Sequence, residues 1–348
     1  MSVPSRIERL QGEYSLVDTI PFQLPVVSSE ASALIAVFPV DYERAARLLP
    51  GKEVHPLRLW SKALLVVTVL DYRKTSIGSY IEYSIAIACT HSKKPAPPLL
   101  PALFSEYYDV GQYVVDLPVS TEISVKGGKG IWGMPKHRAS LDFKIAEHKV
   151  SAQYDLDGEL ATYLEIEHPG TAWFPAQMGA ANFCAFRGML MKSLIYFRGK
   201  TAFKLFGSAK ARFVVGDHPR VRPLKALGAT EPLFTAFIPK CSGTLDDHLE
   251  AWFLTEPSAP VVPMEGMESV VSLGLGREWP APPSAPVPGT APNGAEPRRN
   301  SGVRAATRPA NDASGANGRT ETSFSVSTDA GPGAAGSGAK ASSKTGNA

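Results

Sequence analysis

The chain has 348 residues, a formal charge of +3, 44% hydrophobic and 20% charged residues, enough apolar material to bury a large core without metal or disulfide staples. No lysine or arginine run is dense enough to track a phosphate backbone, so nucleic acid is not an expected partner. The opening MSVPSRIERLQGEY lacks an apolar targeting core, and the longest apolar stretch, residues 63–70, is far short of the ~20 residues a membrane helix needs, so no membrane partner is expected.

Taken in chain order, short segments rich in β-branched and aromatic residues recur between turn signals. They predict strands over residues 34–40, 63–71, 80–89, 113–116, 122–126, 138–146, 150–156 and 160–167. The last two flank Asp157-Gly158, a dipeptide suited to the positive φ angles of a tight hairpin. Helical pattern appears over 41–49, with Asp41 as cap and Pro50 as stop, over 176–195, and over 246–254. The fold class that follows is mainly β, a β-rich α+β protein. Its expected architecture is a closed or nearly closed antiparallel sheet or barrel around a central pocket, with few helices.

Composition breaks near Glu256, beyond which Trp279 and Phe324 are the remaining aromatics and eight basic residues balance eight acidic ones. Residues 1–255 therefore read as one folded domain, and 256–348 as a Pro/Gly/Ala/Ser-rich disordered tail. The three cysteines, Cys89, Cys184 and Cys241, have no CxxC or metal-spaced histidine partner. They fit buried free thiols in a reducing cytoplasm.

The stretch most suggestive of chemistry is KGGKGIWGMPKHR, residues 126–138. Its glycines permit close backbone approach, Pro135 fixes the φ angle before Lys136, and Ile131, Trp132 and Met134 can form an apolar wall. Desolvation there disfavours an ammonium and favours the neutral amine. A neutral amine attacks a carbonyl to give a Schiff base, and its protonated imine is an electron sink for breaking a bond at the adjacent carbon. Standing alone, a lysine after a glycine-rich segment is ordinarily a solvated surface residue. A second element lies upstream in Gly78-Ser79-Tyr80-Ile81-Glu82, where period two sends Tyr80, Glu82 and Ser84 to one strand face. If that face looks inward, Glu82 can orient substrate or relay a proton. Alternation alone fits a solvent-facing glutamate equally well.

Together, Gly78-Ser79-Tyr80-Ile81-Glu82 and Trp132-Gly133-Met134-Pro135-Lys136, in that order, resemble the two motifs of the acetoacetate decarboxylase family. The resemblance runs loosely from about residue 21 to about 254 and omits the tail. It implies a β-rich fold closing around a pocket, with Lys136 as the Schiff-base lysine and Glu82 as the acid beside it. Trp132, Met134, Tyr80, His137 and Lys129 are expected around the substrate. The implied activity is a lyase reaction, decarboxylation of an acetoacetate-like β-keto acid without cofactor or metal, in a cytoplasmic homo-oligomer. Acetoacetate decarboxylase is itself the standing example of a lysine activated by desolvation or a neighbouring cation.

The chain departs from the family's pattern at several positions. His137 stands where a second lysine is expected, and residues 28–33 hold no arginine to meet a substrate carboxylate. Lys129 keeps a charge before the lysine while the neighbouring acid becomes Gly130, and residues 63–70 supply no further acidic residue. Lys129, Arg138, Arg73 and Arg187 are the candidate replacement cations. These losses bear on acetoacetate as substrate more than on imine chemistry, because a desolvated carboxylate needs a cation whereas the lysine needs only its apolar wall. Aldolase or dehydratase chemistry on a larger carbonyl compound is the alternative. A non-catalytic carrier is another, with a chamber formed by Trp132, Phe143, Tyr154 and Tyr163. Metal hydrolysis finds no support in the spacing of the seven histidines. Serine hydrolysis lacks a GxSxG motif, and Cys184 reads as a buried helix thiol.

Overall fold

The computed structural model describes residues 13–246 and 248–255. Strands β1 (Glu13–Val17) and β2 (Ile20–Leu24) form a hairpin ahead of the long β3 (Val26–Asp41). The short helix α1 (Tyr42–Ala46) is capped by the Asp41 carboxylate, which accepts from the Arg44 amide at 2.9 Å. Then come β4 (Val54–Pro56), β5 (Lys62–Thr75) and β6 (Tyr80–His91). Helix α2 (Leu100–Leu103) precedes β7 (Val110–Val119), and α3 (Glu122–Trp132) precedes β8 (Lys136–Arg138). A meander of β9 (Ser140–Ile145), β10 (Lys149–Leu156) and β11 (Glu159–Glu167) leads to the long hairpin β12 (Phe174–Phe186) and β13 (Met189–Leu205). Strand β14 (Ala211–Val215), helix α4 (Arg222–Lys225), β15 (Phe234–Leu245) and β16 (Glu250–Phe253) complete the described chain.

Strands β6, β5, β3, β15, β13, β12 and β7 hydrogen-bond in that order, and β7 pairs back onto β6, so the sheet closes into a ring. The expected closed, largely antiparallel sheet is what forms. Two short ladders, β12 with β7 and β7 with β8, are parallel. A second sheet, β14-β11-β10-β9, covers one side of the ring. The ring strands therefore have two different faces. On β5, Ala63, Leu65, Val67 and Val69 are buried in the layer between the sheets, against Val150, Ala152, Leu164 and Ile166. The alternate residues Val66, Thr68, Leu70 and Tyr72 line the interior of the ring. Period two thus divides each strand between core and cavity.

Three sequence expectations are corrected. Residues 122–126 are not a strand but the start of helix α3, despite three glycines that each cost roughly 1 kcal/mol of helix propensity. Packing overrides propensity there, because Gly127 and Gly128 lie against the Phe22 and Lys136 side chains with no room for a Cβ. Gly133, at φ 63°, ends the helix in the left-handed conformation that favours glycine. Residues 176–195 are not a helix but most of the β12–β13 hairpin, turned at Arg187-Gly188, both with positive φ. Residues 246–254 are not a helix either, since Glu250–Phe253 pairs with β13. Asp157-Gly158 does form the β10–β11 turn with both φ positive. The tail reading for 256–348 falls outside the described residues.

Candidate active site

The ring encloses a cavity of about 230 Å³, larger than the roughly 150 Å³ that holds a benzene ring in a protein core. Lysine reaches it from β8, a three-residue strand laid parallel to β7 with Leu117 opposite Lys136. Lys136 is 3% exposed. Its Nζ lies 2.7 Å from Oε2 of Glu82 and donates to Ser124 Oγ at 3.1 Å. The Tyr80 ring centroid is 5.5 Å from the same nitrogen. Tyr80, Glu82 and Ser84 all line the cavity, so the alternating face of β6 looks inward. Glu82 and Lys136 are the charged residues among those lining it, and the remainder are apolar or neutral polar side chains.

The glycine-rich segment has a steric purpose. Helix α3 passes so close behind the lysine that a Cβ on Gly128 would stand 2.8 Å from Lys136 Cε and 3.0 Å from Cγ, and nearer still to Cδ. Burial, reinforced by the charge of Glu82, holds the Tyr72 and Tyr80 phenols well above their ordinary range, so both enter any reaction as neutral hydroxyls. Burial likewise pushes the Cys184 thiol up to about 12, although the Lys136 charge pulls the other way. Cys184 lies on β12, not on a helix, and all three cysteines are free and buried.

Of the residues expected at the site, Lys136, Glu82, Tyr80 and Met134 are brought together around the cavity. Trp132, His137 and Lys129 are not among its lining residues. The Trp132 ring is buried beside Leu24, Val26 and Met134, and its Nε1 donates to the Asp246 carbonyl at 2.8 Å. Lys129 is a half-buried residue near the end of α3. His137 follows Lys136 on an extended strand and so faces the opposite way, into the layer between the sheets. There its Nε2 sits 3.0 Å from Asp116 Oδ1, while its Nδ1 has no partner. Arg220 Nε donates to the same Asp116 oxygen at 2.7 Å, and Tyr154 Oη donates to the other at 3.2 Å. Burial alone would raise the Asp116 carboxyl, but the charges and hydrogen bonds of His137 and Arg220 outweigh it and hold it down to about 2.

The candidate cations Arg73, Arg138 and Arg187 do not line the cavity either. Arg73 bonds to Glu30, Ser32 and Asp71 at the periphery, Arg138 is exposed, and Arg187 lies over the Phe186 ring. Phe143, Tyr154 and Tyr163 belong to the covering sheet and form no chamber wall. Sequence reasoning missed Ser124, which reaches Lys136 only because residues 122–132 are helical. It also missed Gln112 and Asn182, which meet where β12 joins β7.

The family model for acetoacetate decarboxylase matches residues 12–182, a span that holds both Glu82 and Lys136. The chain belongs to the acetoacetate decarboxylase-like family. No curated protein matches it. Solved structures similar to this acetoacetate decarboxylase-like chain include an acetoacetate decarboxylase of 15% identity, covering 66% of this chain and 89% of that one at a TM-score of 0.46. Another is the acetoacetate decarboxylase of Legionella pneumophila, at 12% identity, 74% and 98% coverage and TM-score 0.45. A third is the enduracididine biosynthesis enzyme MppR, at 11% identity, 66% and 88% coverage and TM-score 0.49.

Proposed function

We propose that the protein is a cofactor-independent lyase that acts through a Schiff base on Lys136. The observation that supports it is a lysine amine buried inside a cavity with one carboxylate, Glu82, at 2.7 Å. Glu82 takes a proton from the Lys136 ammonium, the freed amine adds to the substrate carbonyl, and loss of water gives the protonated imine. With a β-keto acid, carbon dioxide leaves and its bonding electron pair moves into the imine to form an enamine. Glu82, a carboxylate again once its proton has left in that water, relays a proton from a second water to the enamine carbon, and the hydroxide so formed hydrolyses the protonated imine to free the ketone and the lysine amine. Ser124 and Tyr80 position Nζ, and the apolar wall strengthens each charge interaction by excluding water.

A second reading is favoured by a specific feature. No arginine, histidine or second lysine is among the cavity-lining residues, so a substrate carboxylate has no cation of its own. The same imine machinery serves an aldol cleavage of a neutral carbonyl compound, in which Glu82 takes the β-hydroxyl proton as the Cα–Cβ bond breaks to the enamine, or a dehydration, in which Glu82 takes the α-proton and returns it to the departing β-hydroxyl as water.

Trapping tests both readings. The full-length protein is incubated with acetoacetate, pyruvate or acetone in the presence of sodium borohydride, and peptides are mapped by mass spectrometry. A reduced adduct confined to Lys136, absent in Lys136→Ala, is expected. Correctly folded protein that gives no adduct with any carbonyl refutes the proposal and leaves a ligand-binding member of the family. Release of carbon dioxide from acetoacetate then separates decarboxylation from the second reading.

A further inference from the structure

The cavity extends well beyond the lysine, and its other end carries a second set of hydrogen-bonding groups. Gln112 and Asn182 are register partners in the parallel β7–β12 ladder and both line the cavity. Gln112 Nε2 donates to Asn182 Oδ1 at 2.7 Å. A primary amide offers two N–H donors and a carbonyl with two lone pairs. This one bond therefore leaves the Asn182 amino group and the Gln112 carbonyl oxygen uncommitted, and neither has a partner among the described residues. Lys136 lies opposite Leu117, five residues farther along β7, so the two ends are separated by roughly 15 Å at strand spacing. Val114, between them on β7, and Leu117, at the lysine end, are apolar.

We infer, on the Schiff-base reading of Lys136, that the substrate is an extended carbonyl compound whose far end bears a neutral hydroxyl-like group gripped by Gln112 and Asn182. A hydroxyl can donate to the Gln112 oxygen and accept from the Asn182 amino group at once, satisfying both amides. A charged group at that end is disfavoured, because both charges of the cavity lining, Glu82 and Lys136, sit at the other end. The apolar segment between the two ends selects a spacer of carbon atoms, and acetone- or acetoacetate-sized molecules leave the amide pair unfilled.

The test is borohydride labelling of the full-length protein with straight-chain methyl ketones of about six to ten carbons, each with and without a terminal hydroxyl, and with acetone as reference. One well-placed neutral hydrogen bond corresponds to about a three- to tenfold preference. The hydroxy ketone that spans the cavity is expected to half-label Lys136 at a concentration about three- to tenfold lower than its parent ketone. In Asn182→Leu and in Gln112→Met the ratio is expected to fall to about one. Equal labelling by hydroxy and parent ketones at every length, with Lys136 still labelled by acetone, overturns the inference and leaves the Schiff-base reading standing. A hydroxyl preference that persists in both variants also overturns it. Absence of any Lys136 adduct, acetone included, removes the Schiff-base reading and this inference with it.

Discussion

Replacing Gly128 by alanine separates the fold from the chemistry more cleanly than removing the lysine does. The new Cβ would stand 2.8 Å from Lys136 Cε and nearer still to Cδ, whereas ordinary contact begins at 3.4 Å, so the atoms must part by more than about 0.6 Å. The lysine cannot give way freely, because its Nζ is tied to Glu82 at 2.7 Å and to Ser124 at 3.1 Å. A shift of that size takes the Ser124 contact beyond ordinary hydrogen-bond length. Stability changes little by comparison. Alanine gains about 1 kcal/mol over glycine in a helix interior, and overpacking costs about 1–3 kcal/mol. The net loss is about 0–2 kcal/mol, a few degrees in Tm for a domain of this size. Misplacing a reacting group by about 1 Å, in contrast, costs up to 10²-fold in rate.

The assay pairs thermal unfolding with the rate of borohydride labelling of Lys136 by acetone. Gly128→Ala is expected to melt within a few degrees of the parent protein and to label about ten- to a hundredfold more slowly. Gly130→Ala is the matched control on the same helix. Its Cβ meets Val17, at 2.5 Å from Cγ1, and not the lysine, so it loses stability without the labelling defect. A Gly128→Ala protein that labels at the parent rate refutes the argument that this glycine exists to seat the lysine.

Glu82→Gln removes the proton acceptor at 2.7 Å and is expected to slow labelling about 10²- to 10⁴-fold near neutral pH. A labelling rate independent of residue 82 contradicts the role given to Glu82. His137→Asn, which faces Asp116 across the layer, is expected to lower Tm while Lys136 still labels, and a reversed pattern shows that the imidazole acts in the cavity. Arg220→Met leaves Asp116 with one fewer buried cation and is expected to cost about 3–5 kcal/mol in denaturant unfolding. Because the folded Asp116 carboxyl lies below its ordinary value, its stabilisation is complete above about pH 4 and is lost as pH falls toward 2. That window is worth about 2 kcal/mol in acid titrations followed by circular dichroism, and it should shrink in Arg220→Met.

Much of the fold was legible where a run is rich in β-branched residues or a turn has obligatory chemistry. The apolar run over residues 63–71 and the Asp157-Gly158 turn are such cases, and both are found. The reading failed where tertiary contacts override local preference. Residues 176–195 are rich in alanine and read as a helix, yet their backbone groups pair residue for residue across the β12–β13 hairpin. Arg187-Gly188 was the available signal, a two-residue turn in the middle of the supposed helix. Residues 122–132 failed in the opposite sense. β-branched Ile123 and Val125 and three glycines argue against a helix, and the packing that rescues it, Gly127 on Phe22 and Gly128 on Lys136, joins residues whose proximity no local pattern encodes.

The site divides along the same line, and the division explains the histidine that follows the lysine. Period two put Tyr80, Glu82 and Ser84 on one face of β6 and left its direction open; the closure of the ring turns that face to the cavity. Applied to Lys136 and His137, the same rule sends neighbours to opposite faces, so a residue beside the lysine in sequence is not beside it in space. A β-bulge in β7 completes the separation. Val114 pairs with Ala86 and Asp116 with Ile85, so one extra residue lets Val115 and Asp116 both face outward, between the cavity-lining Val114 and Leu117. Asp116 is thereby placed behind the strand to meet His137 and Arg220. A cation at position 137 therefore answers to Asp116 in the layer between the sheets. Exchanging lysine for histidine there alters a structural ion pair, while the charge balance around Lys136 is set across the cavity by Glu82.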